Sequence, residues 1–100
     1  MKIFDFGEAI RLLKQGACVA RIDWEKEGKF ICKQIPATIG REIIPKMQSL
    51  PDVAKEIITR TAGVISYENQ CLIYNCTTAT ADSWLPSSED MFAEDWTEIV

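Results

Sequence analysis

Arg21 and Trp24 stand three residues apart, and Ser87, Ser88 and Asp90 gather near the other end of the chain. A guanidinium forms paired hydrogen bonds with phosphate or carboxylate oxygens. An indole offers a flat face on which a base or sugar ring stacks. Arg21 is therefore a candidate anion contact, with an ion pair to an acidic neighbour as the alternative. Trp24 is a candidate stacking surface, or else a cover over a sheet edge. The Asp90 carboxylate can accept hydrogen bonds from sugar hydroxyls. Equally, Ser87 and Asp90 have the spacing of a helix capping box, and the helix dipole favours an acid in the first turn. Ser87 and Ser88 can offer hydroxyls or backbone N–H groups to an anion at that helix start, or simply cap it. Phe6 either meets a ligand from a helix start or staples the core. Trp84 and Trp96 read as core or interface anchors, with a ligand contact also open to Trp84. Asp95 reads as fixing the backbone ahead of a final strand.

Catalytic groups are scarce. The chain has no His, no Gly-x-Ser-x-Gly elbow and no Walker-type glycine loop, so a base, an activated serine and a phosphate cradle are all missing. A cysteine nucleophile would lack its His partner. Carboxylate pairs such as Asp90 and Asp95 occur by chance in an acidic protein. The expectation is a protein that is not an enzyme. The four cysteines, Cys18, Cys32, Cys71 and Cys76, contain no Cys-x-x-Cys pair. They are expected to be independent free thiols that behave as small hydrophobes, with neither zinc nor paired-thiol redox chemistry. No cofactor is expected.

The elements that must position these residues belong to one small domain, expected to span residues 1–100. A hydrophobic share of 47% beside 26% charged residues is a globular balance that argues against disorder. Eleven basic against fifteen acidic side chains give a net charge of −4, which argues against a nucleic-acid polymer as partner because phosphate neutralisation needs a basic surplus. No apolar run is long enough to span a bilayer, and Asp5, Glu8 and Arg11 interrupt any leader-like stretch. The protein is expected to be cytoplasmic, with no membrane partner.

Phe6, Ala9, Ile10 and Leu13 form one apolar stripe, so residues 6–15 are expected to be helical, with Asp5 and Glu8 as a capping box and Gly16 as the stop. Residues 17–22 and 29–35 read as strands separated by a polar connection carrying Trp24. In the first strand Cys18, Ala20 and Ile22 point one way, Val19 and Arg21 the other. Residues 38–45 read as a loop with room for a short strand. Residues 51–61 read as a second helix, with Ser49 and Asp52 at its cap and Gly63 closing it. Residues 64–67 and 71–77 read as a hairpin. A short strand over 82–85, a brief helix to Ala93 and a last strand over 95–100 complete the chain. The expected fold class is α+β, an antiparallel sheet of about five strands with two or three short helices packed on it.

Two stretches carry a family resemblance. One is Phe6-Gly7-Glu8-Ala9-Ile10, Leu13-Lys14-Gln15-Gly16, Val19-Ala20-Arg21 and Trp24. The other is Ser83-Trp84-Leu85-Pro86-Ser87-Ser88-Glu89-Asp90-Met91 followed by Ala93-Glu94-Asp95-Trp96. Together they resemble the Thoeris anti-defense 2-like domain of phages and prophages, in order from Phe6 to Val100. The resemblance implies a molecular sponge that binds a cyclic ADP-ribose-type immune signal without cleaving it. It also implies a homo-oligomer, often a tetramer in that family, with pockets formed between protomers. On that reading Phe6, Arg21, Trp24, Trp84, Ser88 and Asp90 are the ligand-binding set. The sequence departs from the family where Trp24 is followed by Glu25-Lys26-Glu27-Gly28 rather than Asn-Gly and a small residue, which adds acidic charge. Segment 36–61 is the family's variable region.

The competing readings are a protein-interaction or structural module of a phage or mobile element, with no small ligand, and a hydrolase acting on a nucleotide. If Arg21 and Trp24 face an open pocket, replacing either is expected to leave the melting temperature nearly unchanged.

Overall fold

The computed structural model describes residues 2–100. In chain order the elements are α1 (Phe6–Lys14), β1 (Cys18–Arg21), α2 (Trp24–Glu27), β2 (Lys29–Lys33), β3 (Ala37–Ile39), a 3-10 turn (Ile44–Lys46), α3 (Asp52–Arg60), β4 (Ile65–Tyr67), β5 (Cys71–Asn75), β6 (Thr80–Trp84), α4 (Ser88–Phe92) and β7 (Trp96–Ile99). The expected α+β class holds, with an antiparallel five-stranded sheet, a separate two-stranded sheet and four short helices. None of the described helices is long and apolar enough to cross a membrane. The chain forms two compact units, residues 35–69 and the remainder.

The larger unit holds the sheet in the order β6-β5-β2-β1-β7, every neighbouring pair antiparallel. Val19 of β1 faces Ile31 of β2 in register. Both are fully buried with Ala9 and Leu13 of α1 and with Trp96. The stripe on α1 thus finds its partner in the alternate residues of the sheet's inner face. Asp5 caps α1, its carboxylate accepting the Glu8 N–H at 2.9 Å. Glu8 does not close the box; it accepts from Arg11 Nε at 2.6 Å instead. That hydrogen bond holds its carboxyl below the usual carboxylate range. Gly16 leaves the helix at φ +91°, a conformation that costs glycine nothing.

Expectations for the connections between strands change. The connection after β1 contains a one-turn helix, α2, which Gly28 ends at φ +71°. The expected hairpin of residues 64–67 with 71–77 does not form. β4 pairs with β3, while β5 takes five register partners on β2, and Gln34 N–H donating to the Gln70 carbonyl at 2.9 Å extends that ladder. Glu68, Asn69 and Gln70 supply no glycine for a tight turn, and the longer ladder on β2 captures β5. The hairpin that does form joins β5 to β6, four residues apart. Asn75 Oδ1 organises its turn by accepting the Thr77 and Thr78 N–H groups at 2.8 and 3.1 Å.

In the smaller unit, β3 and β4 form the two-stranded sheet, and Ile44 is fully buried. The expected cap of α3 by Ser49 and Asp52 is not made: Pro51 occupies the N-cap position, where no side chain bonds. Lys55 donates to the Met47 carbonyl at 2.9 Å. Gly63 closes α3 as expected, its N–H on the Ile58 carbonyl at 2.8 Å and its φ at +77°. A Cβ there would strike the Arg41 guanidinium, which donates to the Thr59 carbonyl at 2.8 Å. Gly63→Ala is expected to cost about 1–2 kcal/mol in urea unfolding, chiefly from left-handed strain, with the mobile Arg41 guanidinium displaced from the Thr59 carbonyl. An unchanged midpoint would mean that the turn relaxes out of φ > 0.

Candidate functional site

The strand register that buries Val19 sets Arg21 on the same face, directly across from Trp96. The residue before Trp96 is Asp95. Its carbonyl accepts the Ile22 N–H at 3.0 Å, which locks the strand entry beside Arg21. Its carboxylate accepts from Arg21 Nε at 2.7 Å. Arg21 Nη1 reaches Asp90 Oδ1 at 3.2 Å and Glu89 Oε1 at 3.8 Å. The side chains of Arg21 and Asp90 are only 17% and 15% exposed, so these contacts are sheltered; Glu89 is at the surface. The Asp95 hydrogen bond, foremost, raises the Arg21 pKa above its ordinary value; partial burial works against this and Asp90 adds to it.

Asp90 is held from three sides. Its second carboxylate oxygen accepts the Ser87 N–H at 3.0 Å, and Ser87 Oγ accepts the Asp90 N–H at 3.1 Å, so the capping box anticipated from spacing is formed. Its carbonyl accepts the indole N–H of Trp96 at 3.0 Å. Ser88 is the first residue of α4 and is exposed.

Trp96 is the hub. Its ring centroid lies 5.4 Å from Phe6, 5.3 Å from Trp24 and 6.0 Å from Trp84, and Trp84 stands 6.2 Å from Phe6 and 6.3 Å from Trp24. Most of these pairs meet edge to face, the arrangement aromatic quadrupoles favour. Trp96 is fully buried; the other three rings are half-buried.

Phe6, Arg21, Trp24, Trp84 and Asp90 therefore converge on one corner, brought there by α1, β1, α2, β6 and α4, with Ser88 on the same short helix as Asp90. The corner's side chains pack on one another while Phe6, Trp24 and Trp84 stay half-exposed. The larger unit has a concavity of about 450 Å³ lined by Lys2, Phe4, Glu25, Thr97, Glu98, Ile99 and Val100, and one of about 190 Å³ lined by Lys29, Ile73, Asn75, Thr80 and Asp82. None of the six candidates lines either. The alternative reading of Arg21, an ion pair with acidic neighbours, describes its place here, and the capping reading describes that of Asp90. Three carboxylates around one guanidinium leave the corner with surplus negative charge. It suits hydroxyl groups and flat rings better than bare phosphate.

Sequence reasoning missed two parts. Asp95 is the nearest partner of Arg21, 74 positions away, a pairing no spacing rule finds. Phe4 exchanges both backbone hydrogen bonds with Trp96, at 2.9 and 3.0 Å, and braces the free side of β7. The expectation that Arg21 and Trp24 are replaceable without loss of stability is also revised. Trp24 packs against the buried core, and Arg21 ties β1 to the α4–β7 segment.

Set against known protein families, residues 4–99 match the Thoeris anti-defense 2-like domain. No curated protein matches the chain.

Proposed function

From the premise that the chain belongs to the Thoeris anti-defense 2-like domain family, and so has a role in countering Thoeris defence, we propose that it acts as a sponge. It binds a cyclic ADP-ribose-type nucleotide and releases it unchanged, in the cytoplasm of the bacterial host. The observation that carries this reading is the convergence of Phe6, Trp24, Trp84 and Asp90 on the buried ring of Trp96. Half-buried indoles at such a corner offer faces for adenine or ribose. Asp90 and Ser88 offer acceptors for sugar hydroxyls. Arg21 serves as a positioning residue that fixes Asp90 and Asp95. A non-catalytic role fits carboxylates that are engaged by an arginine and a helix cap, and a chain without His.

The surplus of carboxylates leaves the phosphates of such a ligand unmatched within one copy of the corner. We take the site to be completed by basic side chains of a second copy, in a homo-oligomer up to the tetramer. Leu85 and Phe92, 86% and 84% exposed on either side of the α4 start, are the apolar surface that such an assembly would cover. The two compact units, both within the family match, are taken as parts of one domain.

Incubation with a cyclic ADP-ribose isomer, removal of free ligand and denaturation test the reading. Intact nucleotide in the released fraction is the expected result. An altered nucleotide would make the protein an enzyme, and no retention would favour the interaction module. Light scattering at micromolar concentration is expected to show a mass well above the 11.3 kDa chain. A clean monomer would remove the shared pocket.

A further inference from the structure

Cys18 and Cys32 are fourteen positions apart in sequence, but the sheet brings them together. With Val19 opposite Ile31 in an antiparallel pair, the next position along places Cys18 of β1 opposite Cys32 of β2. Both lie on the sheet face turned away from α1, since Val19 and Ile31 point into the core. Both are half-buried free thiols. Burial pushes the Cys18 thiol up, and the neighbouring Cys32 adds to the effect. Directly opposed residues in an antiparallel pair have Cα atoms about 4.5–5.5 Å apart, inside the roughly 4.4–6.8 Å that a disulfide spans.

The other two cysteines cannot substitute. Cys71 faces Lys33 on one side and Trp84 on the other, and packs against the core on the opposite sheet face. Cys76 is exposed in the turn after β5.

We propose that Cys18 and Cys32 form a cross-strand dithiol that a small-molecule disulfide oxidises to an intramolecular bridge. One thiolate of the pair attacks a sulfur of the reagent, forming a mixed disulfide and releasing one small thiol. The second thiolate attacks the protein sulfur of that mixed disulfide and releases the other. The two cysteine protons end on the two released thiols, and two electrons pass from the protein sulfurs to the reagent. The bridge closes residues 18–32 into a covalent loop that contains Arg21 and Trp24, so oxidation stiffens the segment carrying two residues of the candidate corner. Loop closure of this size is expected to raise the melting temperature by roughly 10–20 °C.

The test treats the purified protein with oxidised glutathione, then alkylates it under denaturing conditions and maps the peptides without reduction. The expected product is a Cys18–Cys32 linked peptide, with Cys71 and Cys76 outside the bridge and the melting temperature raised. In Cys18→Ser, Cys32 is expected to keep a stable glutathione adduct because no second thiol resolves it. A bridge involving Cys71 or Cys76, disulfide-linked chains in place of the internal bridge, or persistent glutathione on both Cys18 and Cys32 of the unaltered protein would overturn the proposal. Because the unaltered protein is mapped directly, the outcome does not depend on how well the variant folds. It is also independent of whether any nucleotide binds.

Discussion

Trp24→Ala is expected to weaken binding of a cyclic ADP-ribose isomer ten- to a hundredfold, the roughly 1–3 kcal/mol of one ring stacked on one aromatic face. It is also expected to lower stability by about 2 kcal/mol. The figure falls below the 3–5 kcal/mol of a fully buried Trp→Ala change because Trp24 is half-buried. What is lost is the edge-to-face packing on Trp96 and Trp84, at centroid distances of 5.3 and 6.3 Å. Trp24→Phe keeps a ring against both and is expected to recover most of the stability and part of the affinity. Titration calorimetry beside thermal melts, at a temperature where every variant is folded, separates the two effects. Unchanged affinity in folded Trp24→Ala would make Trp24 a packing residue and move the search to Trp84 and Asp90.

Arg21→Ala is expected to destabilise the protein by about 2 kcal/mol, less than the loss of a partner from a fully buried pair, because it leaves the partly buried carboxylates of Asp90 and Asp95 without a cation. The Arg21 contribution does not fade across the working pH range. Its pKa is raised in the folded state, so the stabilisation is complete below the ordinary arginine range and is lost only as pH rises through the still higher folded-state value. Affinity for the nucleotide is expected to drop about tenfold, since α4 and Asp90 lose their tether to β1. The salt dependence of binding is expected to stay as it was, because the charge of Arg21 is already matched within the chain. A flattened salt slope would instead show a direct contact between Arg21 and phosphate. Arg21→Lys restores a charge but not the forked geometry that reaches Asp95 and Asp90 together, and is expected to recover only part of the stability.

Both predictions rest on the same feature, a polar clasp laid beside an aromatic hub. Trp96 donates its indole N–H to the carbonyl of Asp90, whose carboxylate bonds Arg21 and closes the Ser87 capping box of α4. Removing either the ring or the guanidinium loosens the same corner, so the double variant is expected to cost less than the sum of its parts.

Local chemistry was legible in the residues alone. The apolar stripe of Phe6, Ala9, Ile10 and Leu13 specifies α1, Gly16 and Gly63 mark helix ends, and Ser87 with Asp90 specifies the cap of α4, because each depends on neighbours within four positions. Alternation along β1 likewise places Val19 and Arg21 on one face before any partner strand is known. The tertiary structure decided what those faces meet. Whether β5 pairs with β4 or with β2 is a contest between ladders, and the side chains of β5 do not state its outcome. Asp95 becomes the partner of Arg21, and Cys32 the neighbour of Cys18, only through strand register. One residue of slip would turn each to the other face of the sheet. The same dependence sets the surroundings of Trp24 and Arg21: one edge of the half-buried Trp24 ring meets Trp96 and Trp84, and the Arg21 guanidinium meets three carboxylates of residues 89–95.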